Sequence, residues 1–407
     1  MNKLRPMMAI GLALLLVVIG VLPAMAQELD VSATAAILME YSSGDIIYEK
    51  NSHQPLPMAS ITKVMTMVIA LEQIRDGLLG WDDVVTASEY AKSMGGSQIW
   101  LETGEQMSVK DLLYAIAVGS ANDAAVAIAE HIAGSEANFA AMMNQRAKEL
   151  GMDNTVFSNA SGLPPRVLGL GDAEHHSSAY DLALLSRHAL TVPNFLELVS
   201  TYEYTMRQDS SREPHLYSYN TMLDRVLGSG RRYGYAGLDG IKTGMTSDAG
   251  YCLAATAQRD NLRLISVVLN SPTAQARTQD TTALLNYGFR HYTAVNLARK
   301  GQILGKVEVH RGNVDAVEVA PARDLSVGVR RGEEDQVTTW FEWDEDSLTA
   351  PIPQGTTVGY LIAGKDQMEL SRVPLLAQQE VEKGTWIQNA VRSTKRLFRN
   401  LIPGPSN

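Results

Sequence analysis

The stretch Pro57-Met58-Ala59-Ser60-Ile61-Thr62-Lys63-Val64-Met65-Thr66-Met67-Val68-Ile69-Ala70-Leu71 is apolar on nearly every side from Ser60 onward. A helix that is hydrophobic all round belongs in the centre of a large domain, so this segment is expected to form the core around which the rest is arranged. A lysine on its second turn is out of place as a solvated side chain. Residues three apart share a helix face, which lets Lys63 reach the Ser60 hydroxyl. Serine is a weak nucleophile until a neighbouring base takes its proton, and Lys63 can do that only as an uncharged amine. Burial, helped by a second cation at Lys242, would hold it in that state. The first helical turn also offers Ser60 unpaired backbone N–H groups and the positive end of a dipole, both suited to an oxyanion. Met58, Met65 and Met67 read as packing material.

Working outward, residues 30 to 50 read as strand, turn and strand, ended by Pro55 and Pro57. Val109 to Val118 and Asn122 to His131 are helical stretches separated by Gly119-Ser120-Ala121, expected as a tight exposed turn. Residues 136 to 151 and 179 to 191 show helical periodicity, with a Gly-, Ser-, His- and Pro-rich loop between them. From Gly237 the pattern changes to strands at Ile241 to Thr243, Tyr251 to Thr256 and Leu262 to Leu269, followed by a helix over Thr281 to Phe289. The fold class is therefore α+β, with helices gathered beside an antiparallel sheet over residues 27–292. Short β-rich runs separated by Gly, Asp and Pro make 293–380 a small all-β domain.

Two more short elements join the first. Ser120-x-Asn122 lies between helices, and Lys242-Thr243-Gly244 lies in a strand. Alone each is weak: a second Ser-x-Asn occurs at Ser218 and Asn220. Ser120 is placed to relay a proton to a leaving amine and Asn122 to hold a substrate amide. A strand at Lys242 to Met245 can pair with an extended peptide, its edge N–H groups completing an oxyanion hole. Lys242, Thr243 and Thr246 offer donors for a carboxylate.

Both ends carry membrane signals. Lys3 and Arg5 precede an apolar run from Ala9 to Leu22, and Ala24-Met25-Ala26 supplies a small–x–small cleavage site. Residues 1–26 are thus expected to be a signal peptide, the alternative being an uncleaved anchor. Over 381–407, Ile387, Val391, Leu397, Phe398 and Leu401 recur at helical spacing, while Arg392, Lys395, Arg396 and Arg399 occupy another face. Such a cationic amphipathic helix suits lying in a bilayer interface.

Composition sets the outer limits. The 407 residues carry 35 Lys plus Arg against 45 Asp plus Glu, a formal charge of −10, which argues against broad nucleic-acid binding. Hydrophobic residues at 45% and charged residues at 20% are ordinary for a packed globular protein. The single cysteine, Cys252, can form neither an internal disulfide nor a thiolate metal cluster and reads as core. His175-His176, near Asp172 and Glu174, lacks the helical spacing of a zinc site, so a structural loop role is expected and no metal or cofactor is implied.

In this order the three elements resemble those of the penicillin-binding protein and serine β-lactamase superfamily. More closely, the chain is similar to the low-molecular-mass D-alanyl-D-alanine carboxypeptidases, peptidase family S11. The matching phrases are Pro57 to Lys63, Asn154-Thr155-Val156-Phe157, Ser177-Ser178-Ala179-Tyr180-Asp181 and Asp239-Gly240-Ile241-Lys242-Thr243-Gly244-Met245-Thr246. The resemblance implies a superfamily-type catalytic domain, then the β-rich domain and a membrane-surface helix. It also implies acylation of Ser60 by the penultimate D-alanine of a muropeptide ending in D-Ala-D-Ala, hydrolysis of the acyl-enzyme by water, and covalent inhibition by β-lactams. Lys63 and Ser120 would be catalytic, Asn122, Lys242, Thr243, Gly244, Met245 and Thr246 would bind substrate, and the Ser60 and Met245 N–H groups would form the oxyanion hole. The implied location is the outer face of the cytoplasmic membrane.

One departure stands out: where relatives often place a polar or basic residue between two asparagines, this chain has Ser218-Tyr219-Asn220. Competing expectations are a serine β-lactamase, for which Glu213-Pro214-His215-Leu216-Tyr217 is a near miss to the deacylating loop, and a non-catalytic wall-binding or β-lactam-sensing module.

Overall fold

The strand β1 (Ala35–Glu40) is buried along its whole length because both of its faces are covered. Side chains alternate across a strand, so Ala35, Ile37 and Met39 enter the helical core. Leu38, on the other face, reaches Gly288. In the computed structural model, which describes residues 29–206, 215–223 and 234–386, β1 joins β2 (Ile46–Lys50) on one side. After two short antiparallel pairs, β3–β4 (Val84–Thr86 with Gln106–Ser108) and β5–β6 (Glu203–Thr205 with His215–Tyr217), come β7 (Leu238–Thr246), β8 (Gly250–Arg259) and β9 (Leu262–Ser271). Together they complete an antiparallel sheet in the order β2-β1-β9-β8-β7, which leaves β7 at an edge.

Helix α1 (Lys63–Arg75) is buried from Lys63 to Leu71, as its all-round apolar sequence requires. Against it pack α3 (Val109–Ala117), α4 (Asn122–Ala133), α5 (Glu136–Glu149), α6 (Ala179–Ala189) and α7 (Phe195–Ser200), while the short α2 (Glu89–Lys92) packs on α4. On the far face of the sheet, α8 (Ala274–His291) packs against β8 and β9. It starts seven residues before the expected Thr281 because Thr273 caps it, accepting the Ala276 N–H at 3.0 Å.

The nucleophile's helix also differs from expectation. The segment expected to be helical from Ser60 begins with a single 3₁₀ turn, Ala59–Thr62, and the α-helix starts only at Lys63. Ala59 takes a left-handed φ of 49°, and Thr62 Oγ1 donates to the Ala59 carbonyl at 2.8 Å, which closes the tighter turn.

The C-terminal region is a β-structure with its own core of Val317, Val319, Leu325, Val327, Val373 and Leu375. There β10 (Tyr292–Ala298) pairs with β13 (Leu325–Arg330). Strands β11 (Gly305–Glu308), β12 (Ala316–Pro321), β14 (Val337–Trp343), β15 (Thr357–Lys365) and β16 (Met368–Ala377) form a second sheet in the order β11-β12-β16-β15-β14. It meets the first region where the Gly328 N–H donates to Ser42 Oγ at 3.2 Å. A Cβ at Gly328 would run into the buried side chain of Glu40, so only glycine allows this approach. Among the described residues no helix is long and apolar enough to cross a membrane. The expected signal segment, Glu213 and everything after Trp386 lie outside the described residues.

Candidate active site

Lys63 is fully buried, and its Nζ meets three oxygens: Ser60 Oγ at 3.0 Å, Asn122 Oδ1 at 2.6 Å and the Ser161 carbonyl at 2.5 Å. Two of these, an amide oxygen and a peptide carbonyl, can only accept. A neutral amine has two hydrogens for them and one lone pair left, aimed at the hydroxyl of Ser60. Burial pushes the Lys63 pKa well below the usual lysine range, and the positive charge of Lys242 pushes it further, against a weaker opposing pull from Asp123 and Glu136. The site is therefore poised to take a proton from Ser60.

The Ser161 carbonyl is a functional group that sequence reasoning missed. It is presented by a loop that folds around Asn159, whose Oδ1 accepts the N–H groups of Ser161 at 3.1 Å and Gly162 at 2.7 Å. Gly162, at φ +84°, lies so close to the Ala59 carbonyl that no side chain fits. Glu136 holds the same loop by accepting the Ala160 N–H at 2.9 Å, and Thr66 on α1 donates to the Ala160 carbonyl at 2.7 Å. Behind it, Asp181 accepts the Asn154 N–H and the Thr155 hydroxyl, both at 2.7 Å. Thr155 also bonds Ser177 at 2.7 Å. The phrases at 154–157 and 177–181 are thus two halves of one brace. The signal for it was present in Asn154-Thr155 and Ser177 to Asp181, but nothing in the residue types announces a backbone acceptor.

His175 has a structural place beside the nucleophile. Its Nδ1 accepts the Ser158 N–H at 3.1 Å, which puts the ring proton on Nε2, 2.8 Å from Thr62 Oγ1. Thr62 in turn holds the Ala59 carbonyl. Burial depresses the His175 pKa to about 4, so the ring stays neutral and the chain of bonds persists at neutral pH. Among the described residues no three His, Cys, Asp or Glu side chains gather as a metal site. Cys252 is buried and donates to the Ala249 carbonyl at 3.3 Å.

Ser120 corrects one expectation. The turn between α3 and α4 is not exposed: Ser120 is 4% accessible and has φ 54°. The turn is hemmed in by Leu216, next to Gly119, and by the loop 93–101, bonded to Asn122 just beyond it. Asn122 donates its backbone N–H to the Ser97 carbonyl and its Nδ2 to the Gly95 carbonyl, each at 2.7 Å. With one Oδ1 lone pair taken by Lys63 and one amide hydrogen by Gly95, Asn122 keeps a second lone pair and a second amide hydrogen for a substrate.

Lys242, Thr243 and Gly244 are buried in edge strand β7, with Met245 and Thr246 beyond them at the strand's end. A Cβ on Gly244 would stand 2.6 Å from the Met58 carbonyl, so the glycine permits the strand to run against the nucleophile's turn. The Met245 side chain is exposed, and Thr246 Oγ1 accepts the Ala249 N–H at 3.0 Å, closing the turn to β8. Burial, then the positive charge of Arg277, lowers the Lys242 pKa to about 7. Tyr219 stands exposed beside Asn220, whose Nδ2 donates to the Gly240 carbonyl at 3.3 Å.

A serine hydroxyl on a buried lysine amine, with a second serine two residues from the asparagine that bonds that amine and a sheet edge alongside, defines the active-serine acyl-transfer class. Residues 23–273 match the family model of D-alanyl-D-alanine carboxypeptidases, Peptidase S11, and residues 292–383 that of the penicillin-binding protein 5 C-terminal domain. The chain belongs to that carboxypeptidase family. It is 37% identical over 360 residues to D-alanyl-D-alanine carboxypeptidase DacF of Bacillus subtilis (strain 168), covering 88% of each chain. It is 32% identical over 363 residues to DacC of Escherichia coli (strain K12), covering 87% of this chain and 86% of the other. Among solved structures, a peptidoglycan synthesis regulatory factor (PBP3) from Streptococcus pneumoniae superposes with a TM-score of 0.70 at 28% identity, covering 87% of this chain and 100% of that one. Penicillin binding protein 5 from Haemophilus influenzae gives 0.62 at 29%, covering 87% and 98%.

Proposed function

We propose that this protein is a serine carboxypeptidase that removes the terminal D-alanine from peptidoglycan stems ending in D-Ala-D-Ala. Ser60 Oγ attacks the penultimate D-alanine carbonyl as its proton passes to Lys63 Nζ. The Ser60 and Met245 N–H groups hold the oxyanion. The C–N bond then breaks, the leaving amine takes its proton through Ser120, and water hydrolyses the ester. Lys242 and Thr243, with Thr246, receive the substrate carboxylate. The observation that carries this is the set of three oxygens around Lys63, which suits an amine accepting from Ser60. The names of the relatives above support the substrate class, and they equally support acylation by β-lactams.

Mass spectrometry of a D-Ala-D-Ala pentapeptide after incubation tests it, the expected result being loss of one alanine. A fluorescent penicillin is expected to label the wild type covalently and Ser60→Ala not at all. Equal labelling of both would remove Ser60 as the nucleophile, and rapid penicillin hydrolysis without alanine release would make the protein a lactamase.

The location belongs to the same proposal: export by residues 1–26 and retention at the outer face of the cytoplasmic membrane by the cationic amphipathic segment near the C-terminus. Its support is sequence pattern, Trp386 and Phe398 on the apolar side and four basic residues on another. Deleting 386–402 is expected to move the protein to the soluble fraction with activity intact. Unchanged membrane retention would refute the anchor.

A further inference from the structure

Left-handed backbone is costly for residues with a Cβ, and most of this chain's cases are the tolerant Asn and Asp. Set those aside, and three described non-glycine residues before the β-rich region have positive φ: Ala59, Ser120 and Trp100. Ala59 precedes the nucleophile and Ser120 belongs to the second motif. Trp100, at φ 55°, is a bulky aromatic in a conformation such residues avoid, and its side chain is 67% exposed. Strain held in a folded protein must be over-determined by its surroundings, and it concentrates at functional sites.

The surroundings are explicit. Ile99 and Leu101, on either side of Trp100, are buried, and both donate their N–H groups to the carboxylate of buried Asp123, at 3.1 Å in each case. Asp123 follows Asn122, which bonds the Ser97 and Gly95 carbonyls. The loop is thereby tied to the element that touches Lys63, and Trp100 is its exposed large apolar residue. An indole two-thirds exposed gives the fold only a minor part of what its burial could.

Taking the proposed carboxypeptidase activity as given, we infer that Trp100 is a specificity-determining residue whose indole face receives the side chain of the substrate residue preceding D-Ala-D-Ala, a long aliphatic chain ending in an ammonium. The chemistry fits: an indole takes methylenes on its face and attracts a cation through its quadrupole. The reach fits as well. Trp100 is three residues from Ser97, whose carbonyl bonds the Asn122 N–H, so its backbone lies within about 10 Å of that contact. An extended peptide advances about 3.3 Å per residue along β7.

The test uses three pentapeptides ending in D-Ala-D-Ala, with lysine, norleucine or alanine before that pair, and kcat and KM from alanine release. Trp100→Ala is expected to lower kcat/KM about 5- to 30-fold for the lysyl peptide, chiefly through KM, and less for norleucine. The alanyl peptide and the rate of penicillin acylation should stay within about twofold. Trp100→Phe should keep part of the lysyl preference. Equal losses on all three peptides, or no loss on the lysyl one, overturn the inference. Trp100→Gly, which relieves the backbone, is expected to melt no lower than wild type; a clearly lower midpoint would make the indole a packing residue and overturn the inference too. If the wild type hydrolyses none of the peptides, the carboxypeptidase proposal fails separately. The same peptides as competitors of penicillin acylation then decide: the lysyl peptide should protect Trp100→Ala about 5- to 30-fold less well, and equal protection rejects the role.

Discussion

Lys63→Arg is expected to lower the rate of acylation by penicillin and by peptide about 10⁴-fold or more, on the scale seen when a nucleophile loses its base. The cause is protonation, not charge. An arginine cannot release its proton at any working pH, so it leaves Ser60 with no acceptor for its own. Lys63→Met should fail to the same degree while filling most of the lysine's volume, and a thermal melt will show that it remains folded. If Lys63 served only as a fixed positive charge, Lys63→Arg would retain activity within about tenfold of wild type, and that result would remove the base assignment. The pH profile gives an independent reading. Lys63 must be neutral to act, so kcat/KM should rise with pH through its folded-state pKa, which burial and Lys242 hold well below the usual lysine value. Lys242 must be charged to hold a carboxylate, and its pKa is about 7, so the alkaline limb should fall from there. A substrate amidated at its C-terminus should lack that alkaline limb.

Gly162→Ala is expected to destabilise the protein by about 2–5 kcal/mol and to slow acylation at least ~10²-fold. Two effects add. A left-handed alanine costs about 1–2 kcal/mol, and forcing a methyl into a filled space costs about 1–3 kcal/mol. Here the space is filled by the backbone carbonyl of Ala59, which cannot rotate away as a side chain would. Either the Ala59–Thr62 turn or the Ser161 carbonyl must shift, and both touch the Ser60–Lys63 pair. Displacement of a reacting group by about 1 Å is enough for a hundredfold loss. Gly169→Ala is the control: its φ is +73° but a Cβ there meets nothing within 4 Å. It should lose only the conformational part and acylate at the wild-type rate. Acylation of Gly162→Ala within threefold of wild type would show that the 159–162 loop does not hold the nucleophile.

Much of the site was legible because its parts contradict their surroundings. A lysine in a helix apolar on every side has to be explained, and Ser60 three residues away explains it. Gly244 was legible only as part of a phrase; its physical work, letting β7 run against Met58, is a matter of tertiary contact. The brace of Asp181 with Asn154 and Thr155 was present as two quoted phrases, yet nothing along the chain said that they bond to each other. Ser120 was expected to be exposed because Gly-Ser-Ala looks like any surface turn, and the loop at 93–101 that bonds to Asn122 lies about twenty residues upstream.

From residue order alone came the buried helix, the placement of Ser60 and Lys63 on one face, and the change from helical to strand periodicity. Those are local consequences of side-chain spacing. Tertiary structure decided whether Lys63 can be a base at all. That depends on excluding water and supplying two acceptors, from Asn122 and from the backbone of Ser161, at sequence separations of 59 and 98 residues. A carbonyl oxygen is the same on every residue, so only the folded path of the chain determines which one reaches the amine.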